Sequence, residues 1–200
     1  MGIIITVGRE FGSGGREFGR RLAEELGIEY YDKEIITKIS ERTSLSEEYV
    51  KQVVEHTPHN LFPITIGESF TFGEDLVYKN MRDIYHAQST IICEMAKKAD
   101  CVIVGRCADY ILRDMKPYRI FVHADIESRA NRCIERNKSG KETTKKELIK
   151  SIKKIDKHRA RYYNFYTDLK WGDKSNYDLC VNTTNADIKL VVSSIAKMFK

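Results

Sequence analysis

Ile3-Ile4-Ile5-Thr6-Val7-Gly8-Arg9-Glu10-Phe11-Gly12-Ser13-Gly14-Gly15-Arg16 decides the fold. Its first five residues form a short apolar, β-branched run, as a buried strand does. Glycines follow at once, and then a helical pattern, with Phe18, Leu22 and Leu26 at helical spacing and Gly27 as a stop. A strand, a glycine-rich turn and a helix N-terminus in this order make a phosphate cradle. The glycines let backbone N–H groups close around an anion, and the helix start adds partial positive charge. The expected binder is a nucleotide, with Gly8, Gly12, Ser13, Gly14, Gly15 and Arg16 around its phosphates.

Aligned on Gly12-Ser13-Gly14, the loop lacks the last two residues of G-x-x-x-x-G-K-[ST]. Gly15 stands where the lysine belongs, and Arg16 where the serine or threonine belongs. The point charge on the β/γ-phosphates and the hydroxyl on Mg²⁺ are both missing from those places. Arg16 is the expected replacement for the charge, with a longer reach and a bidentate grip. A glycine-rich turn with no ligand is the plain alternative.

Outward from the loop, strand and helix patterns alternate. Ile28–Tyr31 is a short strand, and Asp32 an expected cap for a helix beginning near Lys33. Helix 44–55 starts at Ser44 or Ser46, residues 55–73 read as irregular, and a long helix spans 75–98. Cys101–Val104, Arg119–Ala124 and Tyr177–Asn182 read as strands. Helices are expected over 126–136, capped by Asp125, and over 145–163 and 187–200, with 137–144 a polar connection. The alternation predicts an α/β fold with a parallel, helix-covered sheet.

In such sheets ligands gather at the carboxyl ends of the strands. Asp32 and the run Gly105-Arg106-Cys107-Ala108-Asp109 fall there. A guanidinium at a strand end grips phosphate well, so Arg106 is the leading candidate outside the loop, with an ion pair to Asp109 or Asp32 as its structural alternative. Arg129, Arg132 and Arg136 repeat at spacings of three and four and share one helix face. Beside a glycine loop, such a face is expected to meet phosphates rather than solvent alone. Tyr162-Tyr163-Asn164-Phe165-Tyr166 with Trp171 is an aromatic cluster expected in the core or in a homo-oligomer contact.

The 200 residues fit one domain with inserted segments, and a net charge of +5 suits a phosphate-bearing ligand. A nucleic-acid binder working through the basic helices is the rival charge-based reading; the unbroken glycine loop argues against it. No apolar stretch approaches a membrane span, and Met1-Gly2 leads straight into the first strand, so a cytoplasmic protein without a leader is expected. The five cysteines are widely spaced with no C-x-x-C pair, which argues against a disulfide framework or zinc site. The histidines show no metal spacing, and the metal ligands are left open.

Four segments together resemble the cytidylate kinase-like family of P-loop nucleoside monophosphate kinases. They are 4–15, 27–33, 104–109 and Asp156-Lys157-His158-Arg159-Ala160-Arg161-Tyr162-Tyr163. The resemblance implies a three-layer α/β/α P-loop kinase fold on a five-stranded parallel sheet. It implies a core of 1–32, 100–124 and 172–200, a monophosphate-binding insertion at 33–99 and a helical lid at 125–171. It implies transfer of the ATP γ-phosphate to CMP, dCMP or a related small acceptor, with ATP and Mg²⁺ as cofactors. By that likeness Arg106 would hold the monophosphate, with Asp32 and Asp109 at the acceptor's edge. Arg129, Arg132 and Arg159 would reach the phosphates, with Arg16, as catalytic residues, and Asp156 would orient Arg159 or the cytidine. The alternative is a non-catalytic nucleotide-binding or regulatory protein that keeps the fold without the lysine.

Overall fold

Strand β1 (Ile4–Arg9) is the middle of the sheet, and everything else is arranged around its carboxyl end. The structure, a computed structural model, describes residues 2–55, 72–136 and 144–200. After β1 come α1 (Gly15–Leu26), β2 (Glu29–Tyr31), α2 (Glu34–Thr43), α3 (Glu47–Glu55) and α4 (Phe72–Lys98). Then follow β3 (Cys101–Val104), α5 (Ala108–Ile111), β4 (Tyr118–His123), α6 (Ile126–Arg136), α7 (Lys145–Thr167), β5 (Leu179–Asn182) and α8 (Ile188–Ala196). All pairings are parallel, in the order β2-β3-β1-β4-β5. The chain moves to one side of β1 for β2 and β3 and to the other for β4 and β5. The crevice at that reversal lies at the end of β1, where the glycine loop emerges.

The period of two along β1 divides the core. Ile5 and Val7 pack with Phe18 and Leu22 of α1 and with Ile188 and Val192 of α8. Ile4 joins the other layer, with Ile35 and Ile39 of α2, Val50 of α3 and Ile84 and Ile91 of α4. Each fully buried side chain of this size contributes about 1.5–3 kcal/mol. This is the three-layer α/β/α arrangement on a five-stranded parallel sheet. No described helix is long and apolar enough to cross a membrane.

Several end signals act as the sequence suggests. Ser128 N–H donates to Asp125 Oδ1 at 2.7 Å, and Tyr49 N–H to Ser46 Oγ at 3.2 Å. Gly27 closes α1 in the left-handed region at φ 66°. Asp32 is different: α2 begins after Lys33 with no side-chain cap, and the Asp32 carboxylate faces two arginines instead. A buried ion pair takes precedence there over a cap worth about 1 kcal/mol. Helix α7 runs four residues past the expected Tyr163, while α8 stops short of residue 200. The expected irregular stretch and polar connection fall largely on 56–71 and 137–143, outside the described residues. Of the aromatic cluster, Tyr162 and Tyr163 are core, Tyr166 stacks on Tyr85 with ring centroids 3.9 Å apart, and Phe165 is exposed.

Candidate functional site

The glycine loop turns through left-handed conformations at Gly12 (φ 79°) and Gly14 (φ 82°) before entering α1. At Gly12 the space is also tight, since a Cβ would lie 2.9 Å from the Arg129 carbonyl oxygen. Both positions therefore require glycine. Ser13 is buried and donates its hydroxyl to the Glu10 carbonyl at 2.9 Å. The first-turn amides of α1 have no carbonyls behind them within the helix, and the Gly15 N–H donates to Ser13 Oγ at 3.4 Å.

Side chains from the far end of the sequence hold this loop. Phe11 N–H donates to Asp156 Oδ1 at 2.7 Å. Arg129 Nη1 lies 2.8 Å from Glu10 Oε2 and 2.9 Å from Asp156 Oδ2, with its side chain only 5% exposed. Burial pushes the Asp156 carboxyl upward, opposed by the Phe11 amide and the two nearby arginines. Arg132 donates to the Ser13 carbonyl at 3.2 Å and to Thr183, whose own hydroxyl donates to Ser13 O at 2.7 Å. Arg136 pairs with Glu17. The shared arginine face of α6 thus meets the loop, but through its backbone and carboxylates. Glu10, within the loop, and Thr183 carry no sequence signal for this role; only the fold brings Arg129 to the one and Thr183 to Ser13.

On the other side of the crevice, Gly105, Arg106 and Cys107 are three consecutive left-handed residues, at φ 73°, 59° and 53°. Arg106 and Cys107 each carry a strain of about 1–2 kcal/mol there. The turn is held by Gly105 N–H donating to the Val7 carbonyl at 3.0 Å and by fully buried Gln88, whose amide donates to the Arg106 carbonyl at 3.0 Å. Tyr162 Oη donates in turn to Gln88 Oε1 at 3.3 Å. The same turn generates the short α5, which the sequence does not foretell.

Arg9, Arg106, Arg159, Asp109, Tyr163 and Tyr177 line the cleft between these two turns. Asp109 accepts from Tyr163 Oη at 2.6 Å, and burial raises its carboxyl above the usual range. Arg159 donates to the Arg9 carbonyl at 3.2 Å and lies 3.9 Å from Asp156. Arg16 Nε lies 2.5 Å from Asp32 Oδ2, and Arg9 Nη2 lies 3.8 Å from Asp32 Oδ1. Asp32 is buried beneath both. Burial, and then the charges of Arg159 and Arg106, pull the Arg9 pKa down. No motif in the sequence marks Arg9, although alternation from Ile5 and Val7 places it on the α1 face.

A phosphate cradle thus opens onto a cluster of arginines at the switch point of a parallel sheet. The sequence profile of the Cytidylate kinase-like family matches residues 4–185. The chain belongs to that family. Cytidylate kinases from Haloarcula marismortui and Methanopyrus kandleri are 26% and 25% identical over 192 and 194 residues. The alignments cover 96% and 92% of this chain and 86% of each relative. An uncharacterized protein from Eubacterium ventriosum has a similar structure, with TM-score 0.68, 30% identity and coverage of 98% of this chain and 97% of that one. Shikimate kinase from Bacteroides thetaiotaomicron matches at TM-score 0.57 with 16% identity over 98% of both chains, and so shares the P-loop kinase fold. This cytidylate kinase-like chain keeps the fold of those kinases while carrying Gly15-Arg16 in the Lys-[ST] places of the general P-loop pattern.

Proposed function

We propose that this member of the cytidylate kinase-like family is a phosphotransferase that moves the ATP γ-phosphate to CMP, dCMP or a related small acceptor. One observation carries the reading. The strand end that leads into the glycine loop, Gly8 and Arg9, lines the same cleft as Arg106 and Arg159, and Asp32 pairs with Arg9.

The cradle fits a triphosphate by its chemistry, since Gly12 and Gly14 clear the backbone and a helix N-terminus offers amides without helical partners. ATP supplies the transferable phosphoryl group and Mg²⁺ neutralises it; the chain's own work is positioning and charge. Gly8, Gly12, Ser13, Gly14, Gly15 and Arg16 surround the triphosphate. Arg106 takes the acceptor's phosphate, with Asp109 and Asp32 at its edge. Arg159 stands over the loop, positioned by Asp156. Arg129 and Arg132 act by fixing the loop's shape, because both engage it directly. Preorganised guanidinium groups stabilise developing charge without reorganising at the moment of transfer.

A second reading is nucleotide binding without turnover. It is favoured by the Asp156 carboxylate, which already takes the Phe11 amide of the loop. Steady-state ADP release across a panel of nucleoside monophosphates separates the two. CMP-dependent release is expected. No release with any monophosphate, from protein that binds ATP, would point to the second reading or to a kinase with a different acceptor.

A further inference from the structure

The space beside Gly15 belongs to Arg9. A Cβ built at Gly15 would collide with Arg9 Cβ, lie 3.0 Å from Arg9 Cγ and 3.3 Å from Val122 Cβ. Further along, a Cβ at Gly105 would run into the Arg9 guanidinium, 2.7 Å from its Cζ. The Arg9 side chain therefore leaves the end of β1, crosses the first residue of α1 where Gly15 has no side chain, and passes over Gly105 to reach Asp32. Two glycines from separate elements clear one path for one arginine. Its side chain is only 11% exposed, and its guanidinium shares the cleft with Arg106 and Arg159.

Arg16 is differently placed. Its side chain is 51% exposed and its Nε is directed at Asp32. Arg9 lies inside, in the cleft it shares with Arg106 and Arg159, and its side chain fills the volume a side chain at position 15 would take.

We propose that Arg9, reaching over Gly15 from strand β1, is the cation that meets the β/γ-phosphates of the bound triphosphate in place of the loop lysine. The assignment rests on the phosphotransferase reading. It also makes Gly15 a requirement of the site rather than a loss from it. Returning a lysine to position 15 is therefore harmful while Arg9 is present, because both side chains claim one volume.

The test is equilibrium binding of ATP, AMP and inorganic tripolyphosphate to the full chain and to Arg9→Met, Gly15→Lys and the double variant Arg9→Ala/Gly15→Lys. Melting temperatures accompany each to show that it folds. Arg9→Met is expected to lose about tenfold or more in affinity for ATP and tripolyphosphate, the scale of a charged hydrogen bond. AMP, which has no β/γ-phosphates, is expected to shift less than about twofold by the same reasoning. Gly15→Lys is expected to weaken ATP binding, and the double variant to bind ATP more tightly than Arg9→Met. Wild-type ATP affinity in folded Arg9→Met overturns the assignment and leaves the phosphotransferase reading standing. Equal losses for ATP and AMP also overturn it, because a merely structural arginine would act that way. Wild-type protein that binds neither ATP nor tripolyphosphate overturns both.

Discussion

The Phe11 amide donates to the Asp156 carboxylate at 2.7 Å, tying the glycine loop to helix α7. The same carboxylate meets Arg129, which also holds Glu10. Loop, α6 and α7 therefore share one buried charge network.

Removing the carboxylate alone should be costly. Asp156→Ala leaves Arg129 with half its pairing and the Phe11 amide with no acceptor. A loss of about 3 kcal/mol in unfolding free energy is expected, the scale of a broken buried ion pair. Denaturant titration checks it, and a loss below about 1 kcal/mol would show the network to be dispensable.

On the phosphotransferase reading Arg16 belongs to the triphosphate site, and in the structure its Nε is held by Asp32. Arg16→Ala is expected to lower turnover by roughly 10²-fold, as for one preorganised transition-state donor. Near-normal kcat in the variant would remove Arg16 from the machinery.

Asp109 gives a pH signature. Its carboxyl is raised chiefly by burial, against the pull of the Tyr163 hydroxyl. The folded protein thus holds this proton more tightly than the unfolded chain, whose aspartates titrate near about 3.9. The stabilisation is complete below that value and is lost as pH rises through the folded pKa. Asp109→Asn keeps an acceptor for Tyr163 and removes the titration. Melting curves from about pH 3 to about pH 7 are expected to show a smaller decline with rising pH in the variant than in the wild type; parallel curves would contradict the shift.

Gly27 offers a substitution away from the site. It sits at φ 66°, and a methyl group there would meet nothing within 4 Å, so only backbone strain opposes a side chain. Gly27→Ala is expected to cost about 1 kcal/mol in stability and to leave nucleotide binding unchanged. A loss of several kcal/mol would mean that the helix end carries packing the structure does not reveal.

The sequence disclosed the architecture because each signal was local. The β-branched run 3–7, the glycines after it and the helical spacing of Phe18, Leu22 and Leu26 lie within one continuous stretch. Position was legible for Arg106 and Asp32, which follow strands directly. What held them was not. Asp156 reaches Phe11 from the far end of the chain, and Gln88 reaches the Arg106 carbonyl from the middle of α4. Such pairings depend on how helices stack, and neighbouring residues carry no trace of them. Arg9 was not legible: the β-branched run ends at Val7, and only the structure extends the strand to Arg9 and shows the path over Gly15 and Gly105.

The central place of β1 also bears on how the molecule assembles. Ile4 pairs with Cys101 and Ile5 with Tyr118, so both strand partners of β1 come from segments far along the chain. Closing such long loops before any contact rewards them slows folding. The glycine loop at the carboxyl end of β1 therefore takes its final shape only once those distant strands have docked.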